Sequence, residues 1–298
     1  MSFTLTHGSV PPMVTPMTED AASIDRGGIA ALVEWHIEAG STGLFVVCST
    51  GEMFALNQDE MVETVESAVI SADGRIPIIA GLPFPDVSRK AEIAKRYETM
   101  GADGGVALQP FENPADDETM YEHYARLADE VEIPLFIYEH PQWQSTHLLT
   151  PTLVDRLVAH GRYFGMKDCT GDLSRLVAMV DVSEGKFGVM QAVQEQLLPS
   201  LVCGATGVCA TASNAYPHLY RKLYDAFQAD DTQKAYELQT TMRVLLDMYK
   251  ASSGPKHILN RLGLPINTAT RHKRKITEEQ TQATNLLVAF VKAELGGH

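Results

Sequence analysis

No stretch of this chain reaches the run of about 18 apolar residues that a membrane-spanning helix needs. There is no HExxH, no CxxC pair and no Cys/His cluster, so the sequence offers no zinc site and no metal is expected. The four cysteines, at positions 48, 169, 203 and 209, stand apart from one another. A GxGxxG turn is missing after the first apolar run, where TPMTED (15–20) follows, which argues against an open sheet that binds a dinucleotide. Positive charge is scarce: 24 Lys and Arg stand against 38 Asp and Glu, a formal net charge of −14 that repels phosphate backbones. The basic run RHKRK (271–275) reads as a solvated loop before a helix, so no nucleic-acid partner and no membrane partner is expected. The start MSFTLTHGSV has neither the basic beginning nor the apolar core of a secretory signal. A cytoplasmic protein with reduced cysteines is the expectation.

What is present is alternation. Short apolar runs occur at SVPPMVT (9–15), GLFVV (43–47), IPIIA (76–80), GGVAL (104–108), IPLFIY (133–138), RYFGMK (162–167), KFGVM (186–190) and TGVCA (206–210). Runs apolar throughout suit parallel strands buried on both faces. The segments between them carry helical spacing, as in Ile29, Leu32, Val33 and Ile37, or Met61, Val65 and Val69. Start and stop signals agree with helices. Asn57 with Glu60 and Thr277 with Gln280 resemble capping boxes, and Thr150 precedes Pro151. Gly40, Gly101 and Gly161 follow helical stretches. Eight strand–helix units over about 225 residues predict an α/β chain closed into a (β/α)8 TIM barrel. The barrel is placed at 1–225, and a helical region at 226–298, with helices at 231–250, 255–262 and 277–295, is expected to pack on it.

In such a barrel the C-terminal strand ends form the active-site mouth. Strand 2 ends in CSTGE, strand 5 in YEHP and strand 6 in MKDCTGD, so Ser49, Thr50, Tyr138 and Lys167 should converge. Lys167 emerges from a buried strand and has two readings. It pairs with a barrel carboxylate, or it is an imine-forming amine. A free lysine with a pKa near ~10.4 is almost wholly protonated at pH 7. Desolvation would lower that pKa and free the amine to attack a ketone. Tyr138 is a core aromatic with its hydroxyl at the rim, or a proton shuttle. Ser49 and Thr50, in a tight turn with Gly51, are ordinary turn residues, or their hydroxyl and N–H groups hold a carboxylate. Glu52 is expected to brace the turn.

These motifs resemble the dihydrodipicolinate synthase / N-acetylneuraminate lyase family of pyruvate-type class I aldolases, over nearly the whole chain. CSTGE (48–52) is similar to the family's GTTGE turn, IYEHP (137–141) to its tyrosine-bearing YNxP motif, and GMKDCTGDLSR (165–175) to its Schiff-base segment. PMVTPM, ADGRIPIIAG (72–81), CGATGVCA (203–210) and GPKHILNRLGL (254–264) are similar to further family segments. The resemblance implies that Lys167 forms the imine, Tyr138 is the acid/base, and Ser49 and Thr50 bind the keto-acid carboxylate. It also implies that the backbone carbonyl near Cys209 approaches the lysine or the substrate. A homo-oligomer, tetramer or dimer, and chemistry without metal or organic cofactor are implied too.

Three departures bear on substrate. Where the true synthase has an arginine five residues after the tyrosine, this chain has Trp143, which cannot make a bidentate contact with a carboxylate. A family member other than the true synthase is therefore expected. Glu139 replaces the family's asparagine, followed by His140; these two either contact a hydroxylated substrate or pair with each other. QPFENP (109–114) has Phe111 and Glu112 where many relatives place two aromatics, so a hydroxyl relay from a neighbouring subunit is expected to be absent or rebuilt. The sialic-acid lyase pattern YNIPxLSG is not present. The resulting expectation is an aldolase or dehydratase acting on pyruvate or a 2-keto-3-deoxy sugar acid. Alternatives are condensation of pyruvate with an aldehyde, and a non-catalytic keto-acid binder on the same scaffold. A phosphate-binding barrel is disfavoured, because the strand 7 turn MQAVQEQ has no glycine.

Overall fold

A computed structural model describes residues 5–110, 116–140, 148–272 and 275–296. Eight parallel strands form one sheet: β1 (Gly8–Ser9), β2 (Leu44–Val46), β3 (Ile78–Leu82), β4 (Gly104–Leu108), β5 (Leu135–Glu139), β6 (Tyr163–Asp168), β7 (Gly188–Gln191) and β8 (Gly207–Val208). From β2 to β8 each strand pairs with the next in sequence, and β1 pairs with β8. The circle closes through a parallel bridge between Pro12 and Phe45. The expected first strand is thus cut short. Pro11 and Pro12 have no N–H to donate, so regular pairing stops at Ser9. Beyond it the Pro11 carbonyl accepts from Phe45 N at 2.9 Å and Met13 N donates to Phe45 O at 2.9 Å, which carries β1 across to β2.

Helices α1 (Arg26–Glu38), α2 (Gln58–Ala72), α3 (Val87–Thr99), α4 (Asp117–Glu130), α5 (Pro151–His160), α6 (Leu173–Ser183), α7 (Leu197–Val202) and α8 (Pro217–Gln228) alternate with the strands. Local chemistry sets where they begin. The α2 capping box is complete: the Asn57 side chain accepts from Glu60 N at 3.0 Å, and the Glu60 carboxylate accepts from Asn57 N at 2.9 Å. Thr150 caps α5 ahead of Pro151. Gly161 ends α5 at φ 81°, in the left-handed region that glycine enters without steric cost.

Three more helices follow: α9 (Thr232–Ala251), α10 (Pro255–Leu262) and α11 (Glu278–Gly296). Leu238, Met242 and Leu245 of α9 and Leu287 and Val291 of α11 share an apolar cluster with Leu197, Tyr216, Leu219 and Leu223 of the α7–α8 region. A larger cluster fills and surrounds the barrel. No helix among the described residues is long and apolar enough to cross a membrane.

His36, on the buried face of α1, is fully enclosed, and burial lowers its pKa to about 3. An unfolded histidine titrates near ~6.5, so the unfolded chain takes up this proton first. The sign follows: the stability contributed by neutral His36 is present above pH ~6.5 and is lost as pH falls toward 3, with about 2 kcal/mol gone by pH 5. Between pH 7 and pH 5, the Tm of the unmodified protein should fall about 4–8 °C further than that of a His36→Leu variant, measured by thermal unfolding.

Candidate active site

Tyr138 on β5 and Lys167 on β6 are direct partners across two neighbouring strands. A bulge creates that register. Leu135 pairs with Tyr163, but the next residue, Phe136, pairs with Gly165, which leaves Phe164 as an extra residue in β6. In an unbroken ladder Tyr138 would oppose Met166, whose side chain points to the other face. Gly165 is needed beside the bulge, because a Cβ there would lie 2.5 Å from the Gly188 carbonyl oxygen and 2.6 Å from Thr6 Cγ2.

The two side chains enter the barrel mouth together. Lys167 Nζ lies 4.4 Å from the centre of the Tyr138 ring and 5.6 Å from that of Phe45. Phe45 meets Tyr138 edge to face at 5.8 Å. The Tyr138 hydroxyl and the Ser49 hydroxyl are hydrogen-bonded at 3.0 Å. Ser49, Tyr138, His140, Lys167, Cys169, Val193, Cys209 and Thr211 line a cavity of about 230 Å³. Thr50 stands at its edge, with its hydroxyl 3.2 Å from that of Thr211.

Lys167 is buried, and among the described residues no carboxylate pairs with it. Opposing influences act on its proton. Burial disfavours the ammonium, whereas negative charge on Cys209, Tyr138, Cys169 or Cys48 would favour it and hold the pKa above its ordinary value. The second influence requires those groups to be ionised. Burial pushes Cys209 to about 11 and Cys169 to about 12, and it raises Tyr138 and Cys48 as well. At neutral pH all four keep their protons, so desolvation acts on Lys167 without that opposing charge. The faces of Tyr138 and Phe45 offset part of this by attracting a cation.

Glu139 follows Tyr138 in the strand and faces the other way. It is fully buried outside the cavity, where it ion-pairs with Arg175 of α6. It also accepts from Leu149 N at 2.6 Å and from Gln109 Nε2 at 3.1 Å. Burial raises its pKa to about 7, against the pull of Arg175. Asp168 lies beside it and meets Arg175 at 3.4 Å. His140 does line the cavity, with its ring edge-on to Tyr138 at 6.2 Å. Desolvation, aided by the charge of Lys167, lowers its pKa and so favours the neutral ring.

The barrel thus assembles Lys167, Tyr138, Ser49, His140 and Cys209 around one cavity, sets Thr50 at its edge and turns Glu139 outward. Phe111, Glu112 and Trp143 lie outside the described residues. Cys169 and Thr211 were not singled out from sequence. Cys169 was accessible by alternation, two residues after Lys167; Thr211 was accessible as a hydroxyl just beyond β8. Val193 carries no such signal. No group of three His, Cys, Asp or Glu among the described residues is arranged to hold a metal ion.

A closed parallel barrel with an amine and a phenol at its C-terminal mouth is compatible with class I, Schiff-base lyase chemistry. The model of the dihydrodipicolinate synthetase family matches residues 5–293. The 4-hydroxy-tetrahydrodipicolinate synthase of Brucella abortus is 33% identical over 263 residues, covering 86% of this chain and 88% of that protein. Its counterpart from Thermodesulfovibrio yellowstonii is 30% identical over 272 residues, covering 91% of this chain and 90% of that one. The chloride-inhibited dihydrodipicolinate synthase of Acinetobacter baumannii, complexed with pyruvate, superposes with a TM-score of 0.88 at 29% identity, over 96% of this chain and 99% of its own. The chain belongs to the dihydrodipicolinate synthetase family and is a class I lyase.

Arg175 is the cation that pairs with the buried Glu139 and Asp168. Removing one partner of a buried pair strands the other charge, at a cost of about 3–5 kcal/mol. Arg175→Met should lower Tm by on the order of 10 °C, read by calorimetry.

Proposed function

We propose that this protein is an aldolase or dehydratase acting on a 2-keto-3-deoxy sugar acid, through an imine on Lys167. The observation that carries the reading is the Tyr138–Lys167 pair in register, with Ser49 hydrogen-bonded to the phenol at 3.0 Å. Lys167 Nζ adds to the C2 ketone, and the carbinolamine loses its hydroxyl as water when the Tyr138 phenol donates a proton. The positive imine then lies beside the phenolate; burial raises the tyrosine pKa, and positive charge at Lys167 works against that rise. In aldol cleavage the phenolate takes the proton of the C4 hydroxyl. The C3–C4 electron pair moves into the imine, and an aldehyde leaves. In dehydration the phenolate takes a C3 proton, and the phenol so formed returns it to the C4 hydroxyl, which departs as water. Ser49, and Thr50 at the cavity edge, hold the substrate carboxylate so that the reacting bond is aligned. Cys209 bounds the cavity and His140 faces the distal part of the substrate.

A second reading is condensation of pyruvate with an aldehyde, favoured by the relatives named 4-hydroxy-tetrahydrodipicolinate synthase. Against it, Trp143 stands where that synthase carries a carboxylate-binding arginine. A screen of pyruvate with aldehydes, against 2-keto-3-deoxy sugar acids, separates the two. On the scaffold of this family we place the chain in a cytoplasmic homo-oligomer, a dimer or tetramer.

Borohydride added with pyruvate should raise the mass of one peptide, that containing Lys167, and Lys167→Ala should abolish the adduct. A folded protein left unlabelled across a panel of 2-keto acids would falsify the imine and favour a non-catalytic binder. Tyr138→Phe should lower kcat on a cleaved substrate by about 10²–10⁴-fold, the range of a lost general acid–base.

A further inference from the structure

The turn that carries Ser49 and Thr50 is held open at a strained residue. Glu52 sits at φ 61° and ψ 32°, in the left-handed region that non-glycine residues seldom occupy. Packing secures one side of the turn. Gly51 is backed so closely by the segment after β1 that a Cβ would lie 2.8 Å from Thr15 Oγ1 and 2.9 Å from the Met13 carbonyl oxygen. Thr15 Oγ1 also donates to the Gly51 carbonyl at 2.7 Å. The other side faces a cavity of about 170 Å³, bounded by Thr50, Glu52, Lys256, His257 and Thr270. Packing cannot hold the turn there.

Two polar clamps from the C-terminal helical region do so instead. Lys256 of α10 donates to Glu52 Oε1 at 2.7 Å, and Arg271 N donates to Glu52 Oε2 at 2.9 Å. The Lys256 and Glu52 side chains are only 4% and 10% exposed, so the pair is shielded from water and its geometry is demanding. Lys256 is tied in turn to the Ala269 carbonyl at 2.7 Å, and Arg271 to the Ala55 carbonyl at 2.6 Å and to Glu60 of α2. Both carboxylate oxygens of Glu52 are therefore fixed from residues more than two hundred positions away.

We infer that Lys256 is a positioning residue for substrate: through Glu52 it sets the turn that presents the Ser49 and Thr50 hydroxyl and N–H groups to the keto-acid carboxylate. The barrel supplies the reacting amine, and the C-terminal helices fix where its carboxylate site stands. This rests on the reading of Ser49 and Thr50 as that site.

The test uses the full-length protein with pyruvate as the probe, trapping the imine with cyanoborohydride over a range of concentrations. Lys256→Met should raise the half-saturating pyruvate concentration about tenfold while the labelling reached at saturation is unchanged. Lys256→Arg, which keeps a cation in place, should restore most of the loss. If a lone buried Glu52 prevents folding of the single variant, the Glu52→Gln/Lys256→Met double variant has no stranded charge and should show the same rise. Ser49→Ala and Thr50→Val test the underlying reading. Half-saturation unchanged in both overturns the carboxylate site and this inference with it. Half-saturation raised in both, but unchanged in the Lys256 variants even where Tm falls, overturns the positioning role alone.

Discussion

One extra residue in β6 governs the chemistry at the barrel mouth. The bulge at Phe164 advances the strand by one position, so Lys167 rather than Met166 stands opposite Tyr138. Alternation along both strands then sends amine and phenol inward together and sends Glu139 and Asp168 outward together. Without the bulge, β6 would turn Asp168 into the cavity beside Tyr138 and send Lys167 out toward the surrounding helices and Glu139.

That exchange matters because the two faces solve opposite electrostatic problems. Outside the strands, two buried carboxylates share Arg175, and Leu149 N and Gln109 add hydrogen bonds to Glu139, so the negative charge is answered locally. Inside, Lys167 meets aromatic faces and protonated thiols. A carboxylate there would pair with the ammonium and hold its proton. Segregating acids to the outer face keeps the amine available while leaving each buried charge partnered.

The C-terminal helices belong to the same physical unit as the site. They share an apolar cluster with α7 and α8, and from there Lys256 and Arg271 reach the turn after β2. The strained Glu52 is tolerated because surrounding groups over-determine it. A region whose amphipathic pattern suggests simple packing thus also contacts the turn that carries Ser49 and Thr50 at the barrel mouth.

Much of this was legible in the chain. Repeated apolar runs, capping boxes at Asn57 and Thr277, and Pro151 after Thr150 specify strands and helix starts through contacts within a few residues. The positions of CSTGE, YEHP and MKDCTGD at the ends of barrel strands placed Ser49, Thr50, Tyr138 and Lys167 at one mouth. The tertiary structure alone decided the bulge at Phe164, the outward turn of Glu139 onto Arg175, the shortening of β1 at its prolines, and the grip of Lys256 on Glu52. Helix caps and alternation are enforced by neighbours in sequence. Strand register and buried ion pairs are settled between residues far apart in the chain, where packing and desolvation select one of several locally equivalent arrangements.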